Sequence, residues 1–573
     1  MIAKGVNCCV SALGPGDIAQ IPGGAAGSIQ VFRLNGASLF AIVRGMKSPR
    51  LVLIGLDAVD GGLVRRWAGE GHLPTLAKLL ASGAVAPIVT PVAVLEGGVW
   101  PTFLTSSSPA SHGMFAYQQL KRGTYDLEVA MYADRLPAPP FWESLSRAGK
   151  RVAVIDAPFA RPVERLNGIQ VTNWGAHDAW SWECSSYPAS LIEDLVGRFG
   201  DHPISQCNVG RKRTMAEYRR LREQLIEGVR KKTALLRHCL ELEDWDFFLG
   251  VFSESHCVGH HFWHFLDPGH PRHDPSTAPG LGTTILDVYR EIDSGIAALL
   301  ERLGGDTDVL VMLSHGMGPF YAGAHLLQSV LDRLGMSGTV AHESDSSVVE
   351  QPVWNLRHLV PAPVRRRVKS WLPRLASGLW HRTHPELSPW RHARAFTVPD
   401  HNMTSGIRIN LRGREPAGIV SPGTQHEALC RELTDVVLSL EDAQTGRKVV
   451  QWVTRPGELY QGPHLADFPD LLVEWEHSAP IRAVRAPGIG TVAEDFPWER
   501  SGDHRANGLL AALGPRFRSG EIEGEIRTQD IAPTVLEYFG VPIPGHYEGR
   551  SVQALLTATP GRHSRPNTRA AFP

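Results

Sequence analysis

The chain has 573 residues, 43% of them hydrophobic and 20% charged, the balance of an ordinary globular protein rather than a disordered or fibrous one. Lys+Arg 58 against Asp+Glu 59 leave a net charge of -1, which argues against nucleic acid or an anionic membrane surface as the main partner. Its 7 cysteines lack CxxC spacing, against a cysteine-built zinc site or a disulfide framework, and no run approaches the roughly 18 apolar residues of a membrane span.

Residues 1–45 are Gly-rich and weakly patterned, with Gly, Pro and polar residues interrupting any secretory-signal core. They read as a loosely ordered leader, Met46 as a natural start, and the whole as a cytoplasmic enzyme. Residues 51–56 are apolar and rich in branched side chains, bounded by Asp57 to Gly62. They predict a buried parallel strand with a carboxylate at its C-terminal end, where ligands collect in an open α/β sheet. The alternative for Asp57 is a cap on a helix over 63–80. Residues 86–94 are extended, and Glu96-Gly-Gly-Val-Trp100 reads as a Gly hinge into a strand-to-helix turn at 101–106.

A short helix over 141–148 precedes 151–155, another buried strand pattern ending in a carboxylate, Asp156. Residues 171–178 close a similar segment with His177 and Asp178. A long charged amphipathic helix covers 214–242, its polar side a solvated face. Residues 247–252 form the next buried strand and run into Ser253-Glu-Ser-His-Cys-Val-Gly-His-His-Phe-Trp-His264. After a helix over 286–303, the strand 308–313 delivers Ser314-His315-Gly316. Residues 320–395 are basic, Trp-rich and Pro-rich, a cap-like insertion. The core resumes at 407–410, passes through 470–474 and the Gly-containing loop Ser501-Gly-Asp-His504, and closes with a helix over 531–539. The composition of 557–573 is that of a disordered tail, and there is no internal repeat.

Histidine is the notable excess, 25 residues. His256 and His260 are four apart, so on a helix both imidazoles project from one face and can share a metal ion; a surface histidine pair is the alternative. Strands ending at Asp57, at His256 and at His315 place all three at one rim of a parallel sheet, as convergent metal ligation requires.

In order, the motifs are IGLDAVD, VWPTFLT with SPASHGMF, VFSESHCVGHHFWH, SHGMGP, IRINLRGREPAGIV, SGDH and QDIAPTVLEYFGVPIP. This succession resembles the alkaline phosphatase superfamily, in particular its type I phosphodiesterase and nucleotide pyrophosphatase branch, from about 49 to 552. The resemblance implies an α/β fold with a mostly parallel central sheet flanked by helices, its core formed by 46–319 and 396–556. It also implies two adjacent metal ions at the C-terminal strand edge. One falls on His256, His260 and His504. The other falls on Asp57, Glu96, Ser314 and His315. Three positions depart from the family pattern: His256 replaces an Asp, Ser314 replaces an Asp, and Glu96 stands where a Thr or Ser nucleophile belongs, counting back from His112-Gly113. Decay would leave Ala, Val or Leu, whereas every change but Ser314 supplies another competent ligand.

The resemblance thus implies a metal-dependent hydrolase of a phosphate ester or anhydride, with one or two divalent ions, Zn first and Fe or Mn as options. Without the hydroxyl, attack by metal-activated water replaces the covalent route. Glu96 is expected to be a metal ligand; if the local alignment slips, Thr102 or Thr105 acts as nucleophile. His177, Asp178 and Arg408 are candidates for substrate contacts. The substrate is a small phosphorylated molecule, with a nucleotide, a phospholipid headgroup or a metabolite all open. A lyase, transferase or redox metalloenzyme on the same fold, and a metal-binding protein without turnover, are the alternatives.

Overall fold

In the computed structural model, residues 18–22, 28–34, 37–42, 50–91, 95–129, 138–175, 184–204, 212–277, 279–337, 388–398, 404–496 and 499–557 are described, with backbone alone at 18–22, 28–34, 37–42, 95–96, 129 and 388–389. Across the central sheet the strands run Ser185–Tyr187, Gly168–Thr172, Val152–Ile155, Phe247–Phe252, Leu51–Leu56, Asp308–Leu313, Asn507–Leu513 and Ala84–Val89. The five from Gly168–Thr172 to Asp308–Leu313 are parallel to their neighbours. Asn507–Leu513 runs antiparallel to both strands beside it.

Leu51–Leu56 is buried along its whole length because both faces of the sheet are covered, the reason its sequence is a continuous apolar run. Val52, Ile54 and Leu56 face one core, which includes the helices Gly61–Gly69, Met215–Leu240, Glu254–Leu266 and Thr284–Leu300. Leu51 and Leu53 face the other, with Trp100, Phe103 and Leu104 of Leu95–Thr105 and the helix Ile531–Tyr538. The expected mostly parallel sheet between helices is what the chain adopts.

Several local expectations change. The helix expected over 63–80 is two, Gly61–Gly69 and Pro74–Ser82, parted at Gly71 with φ +80°. Its cap is Asp60, which accepts from the Leu63 amide, so Asp57 is left for other work. Glu96 to Trp100 is not a hinge but the start of the helix Leu95–Thr105; a Cβ on Gly97 would stand 2.7 Å from the Ala116 backbone, so close packing explains the glycine. His504 sits in a strand, Gly502–Arg505, paired with Gly316–Pro319.

The insertion expected at 320–395 is not one unit. Phe320, Leu326, Leu327, Val330 and Leu331 belong to a third core with Ile407, Ile409, Leu471 and Trp475. That core backs an antiparallel sheet ordered Ala395–Val398, Thr404–Ile409, Leu471–Trp475, Val450–Thr454. Residues 338–387 lie outside the described residues, as does the tail from 558. In the segment read as a leader, Ile18–Pro22, Ser28–Leu34 and Ala37–Ile42 pair into an antiparallel sheet of their own, regular pairing that the weak patterning did not reveal.

Candidate metal centre

Three adjacent strands end together. Leu56 pairs with Phe252 on one side and with Leu313 on the other, so Asp57, Ser253 and Ser314 leave the sheet at one rim. Asn507–Leu513 is antiparallel to Asp308–Leu313 and therefore begins at that same rim, which is how His504, three residues upstream of it, arrives there.

Helix Glu254–Leu266 starts directly after its strand, and Ser255 Oγ donates to the Asp57 carbonyl at 2.6 Å, tying the helix start to the first strand. One turn apart, His256 and His260 bring their Nε2 atoms to 3.1 Å. His260 Nδ1 lies 2.7 Å from the Gly502 carbonyl; donating there leaves a lone pair on Nε2. Gly502 permits this approach, since a Cβ would meet the Gly259 carbonyl at 2.2 Å.

The His504 ring lies 4.8 Å from that of His260, 5.0 Å from that of His256 and 4.7 Å from that of His315, between centroids. One ring nitrogen from each of His256, His260 and His504 falls within 4.8 Å of the others. His504 is 1% exposed, and neither of its ring nitrogens has a hydrogen-bond partner among the described residues. An unsatisfied buried nitrogen costs about 1–3 kcal/mol, a cost that metal ligation would remove. Burial holds all four imidazoles below their ordinary range. His256 falls to about 3, with Arg500 adding to the effect, and His315 to about 3, with His256 adding. His260 and His504 lie well below, burial again leading and neighbouring imidazoles next. Neutral imidazoles in a tight group are a donor set for a borderline divalent cation, and on this geometry the residues present fit one.

Asp57 is placed differently. Its Oδ1 accepts from the Trp100 indole at 2.7 Å and from Ser314 Oγ at 3.3 Å, with His315 Nδ1 at 3.9 Å. Ser314 Oγ also lies 3.0 Å from His315 Nδ1 and accepts from the Ala58 amide at 3.4 Å. The role of Trp100 was missed in the sequence, although the residue lies within one of the motifs, because nothing in the spacing pairs an indole with a carboxylate 43 positions away.

Glu96 occupies the first turn of Leu95–Thr105, but its side chain lies outside the described residues, as do His177 and Asp178. Arg408 is buried in the antiparallel sheet, donating to Glu415 Oε1 at 2.7 Å and to the Ala466 and Phe468 carbonyls. The alternative nucleophiles are engaged as well. Thr105 Oγ1 donates to the Pro101 carbonyl at 2.8 Å, and Thr102 Oγ1 sits 3.0 Å from His112 Nε2.

His112 gives a pH prediction. The Met114 amide donates to its Nδ1 at 3.1 Å, so its proton resides on Nε2, toward Thr102. Burial, with His464 adding, pushes its pKa down to about 3, against about 6.5 in an unfolded chain. The unfolded chain alone takes up this proton between those values, so the contribution to stability is complete above about pH 6.5 and is lost as pH falls toward 3. At pH 5.5 the loss is about 1.4 kcal/mol for this group. Urea unfolding should show wild type losing about that much more than His112→Gln between pH 7.5 and 5.5; parallel losses would refute the assignment.

Beneath the site lies a buried ionic network that the sequence did not reveal. Lys232 and Asp156 pair with both side chains fully buried, and Asp156 accepts from the Trp174 and Gly175 amides at 2.8 Å each. Glu254, two residues before His256, accepts from His202 Nε2 at 2.9 Å. Burial raises its carboxyl, but the His202 hydrogen bond and the Lys232 charge outweigh it and hold the pKa below the usual range.

No helix among the described residues is long and apolar enough to cross a membrane. No curated protein matches the chain. Among solved structures it is similar to phosphonoacetate hydrolase from Sinorhizobium meliloti 1021 in complex with phosphonoformate, at 14% identity and TM-score 0.49, over 88% of this chain and 97% of that one. It is also similar to murine ectonucleotide pyrophosphatase/phosphodiesterase 5, at 12% identity and TM-score 0.44, over 89% and 100%, and to the human protein of that name, at 11% and 0.45, over 89% and 100%. The model of the type I phosphodiesterase / nucleotide pyrophosphatase family matches residues 51–483, which span the strand ending at Asp57, the His256–His260 helix and the Ser314-His315 turn, and the chain belongs to that family.

Proposed function

We propose that the protein is a metal-dependent hydrolase of a small phosphate ester or anhydride, acting on its substrate at the rim formed by Asp57, His256, His260, His315 and His504. The observation that carries this reading is His504, a buried imidazole with neither nitrogen hydrogen-bonded among the described residues, set against three other imidazoles. A divalent ion there, Zn first and Fe or Mn next, supplies Lewis acidity toward a phosphoryl oxygen and activates water. The three histidines hold it and leave a position open. Glu96 is the carboxylate we assign to it, as ligand and not as nucleophile. Asp57, oriented by the Trp100 indole, supplies fixed negative charge beside it. The described Cys239 and Cys430 are unbridged, which supports a cytoplasmic setting.

The test is metal analysis of the purified chain followed by assay on phosphodiesters, phosphomonoesters, nucleoside phosphates and phosphonates. Hydrolysis that disappears on chelation supports the reading. Metal without hydrolysis favours a lyase, transferase or redox enzyme, and neither favours a binding protein. Glu96→Gln should lower metal occupancy and depress hydrolysis, whereas Glu96→Thr should not raise hydrolysis. A covalent phospho-adduct on Thr102 or Thr105 would show that the assignment is wrong.

A further inference from the structure

The two halves of the rim are chemically unequal. On one side, His256, His260 and His504 converge with ring nitrogens turned to a common point. On the other, three of the groups that the family pattern gives to a second ion, Asp57, Ser314 and His315, are joined through Asp57 Oδ1, Ser314 Oγ and His315 Nδ1, and only His315 Nε2 is left without a hydrogen-bond partner among the described residues. The Oδ1 of Asp57 receives two donors, the Trp100 indole N–H at 2.7 Å and the Ser314 hydroxyl at 3.3 Å. With two donors on it, Oδ1 has both of its lone pairs engaged, so a cation seated against that oxygen would have to displace one of them. Ser314 stands where the family pattern has a carboxylate, and its hydroxyl is occupied by the Ala58 amide and by His315 Nδ1.

Charge points the same way. A pair of divalent ions carries four positive charges, and the carboxylates the family pattern leaves here are two, Asp57 and Glu96. One ion is balanced by them; two are not, and uncompensated charge in a buried site is costly. Among the described residues, two buried carboxylates close in sequence to the histidines already have partners. Asp503 is buried, accepts from the His504 amide at 2.9 Å and pairs with Arg500 at 3.4 Å, and Glu254 is held by His202.

We propose that this chain holds a single divalent ion, on His256, His260 and His504, and that the place of the second ion is closed by the hydrogen-bonded group Trp100, Asp57 and Ser314. The inference rests on the hydrolase reading only for the presence of a metal, and its test reads stoichiometry rather than turnover.

The full chain, stripped with chelator and dialysed against Zn²⁺ or Co²⁺, should retain one ion per chain by elemental analysis. His260→Ala should retain none above background. Asp57→Asn, whose amide oxygen can still accept the Trp100 N–H, should retain one. Ser314→Asp, which restores the missing carboxylate, should bind a second ion. The wild-type count decides even if a variant does not fold: two ions, or none, overturns the proposal. So does loss of the single ion in folded Asp57→Asn, or a count still at one in folded Ser314→Asp. Two ions with hydrolysis overturns the single-ion proposal and leaves the hydrolase standing, whereas one ion without hydrolysis of any phosphorylated probe does the reverse.

Discussion

Replacing His504 with Leu should abolish metal retention, lower kcat/KM for whichever phosphorylated substrate is hydrolysed by about a thousandfold, and leave the metal-free protein at least as stable as wild type. The combination follows from the environment of the ring. A histidine kept for the fold is hydrogen-bonded, and removing it strands a partner. Here both nitrogens are buried without a partner among the described residues, so the metal-free protein carries a cost that an apolar side chain of similar volume removes. A thousandfold corresponds to about 4 kcal/mol of transition-state stabilisation, within the several kcal/mol a Lewis acid contributes. Urea unfolding of the chelator-treated proteins, run beside metal analysis, checks it. A metal-free His504→Leu protein destabilised by about 3 kcal/mol would show that the ring is structural.

The second large effect is expected at Lys232, in the buried ionic network beneath the site. Lys232→Met should destabilise the protein by about 3–5 kcal/mol, because it leaves the Asp156 carboxylate buried without its cation, and breaking one side of a buried pair costs that much. Asp156 keeps its two backbone donors, which neutralise no charge. Removing Lys232 also removes the cation that, after His202, holds Glu254 ionised in the first turn of the His256–His260 helix. Metal affinity should therefore weaken together with stability, and His260→Ala, which lies outside this network, should weaken metal binding without the same loss of stability. Chemical denaturation of both variants separates the two effects. A loss below about 1 kcal/mol in Lys232→Met would mean that the pair behaves as a solvated surface bridge.

Lys232 shows why part of the design was hidden. Within Met215–Leu240 it sits among the charged residues of an amphipathic pattern, and periodicity alone assigns such a residue to the solvated face. It is buried because Asp156, at the end of a strand 76 residues earlier, comes to lie under it. Sequence spacing has no term for that. Trp100 and Asp57 are a second instance, and the antiparallel sheet that draws 320–337 into its own core is a third, since its strands are short and widely separated along the chain.

The amino-acid sequence by itself determined the elements whose cause is local. The buried strands Leu51–Leu56, Phe247–Phe252 and Asp308–Leu313 read directly because both of their faces are covered, which requires unbroken apolar runs. His256 and His260 read as a facing pair because 3.6 residues per turn puts positions four apart on one side of a helix. Only the tertiary structure decided what meets them. His504 reaches the pair because Asn507–Leu513 enters the sheet antiparallel, starting at the rim where the parallel strands end. Asp57 is bound to an indole because Leu95–Thr105 packs on the face opposite the His256–His260 helix. Strand direction and layer are settled by packing among distant segments, and that packing makes one side of the rim a cluster of open imidazoles and the other a closed group of hydrogen bonds.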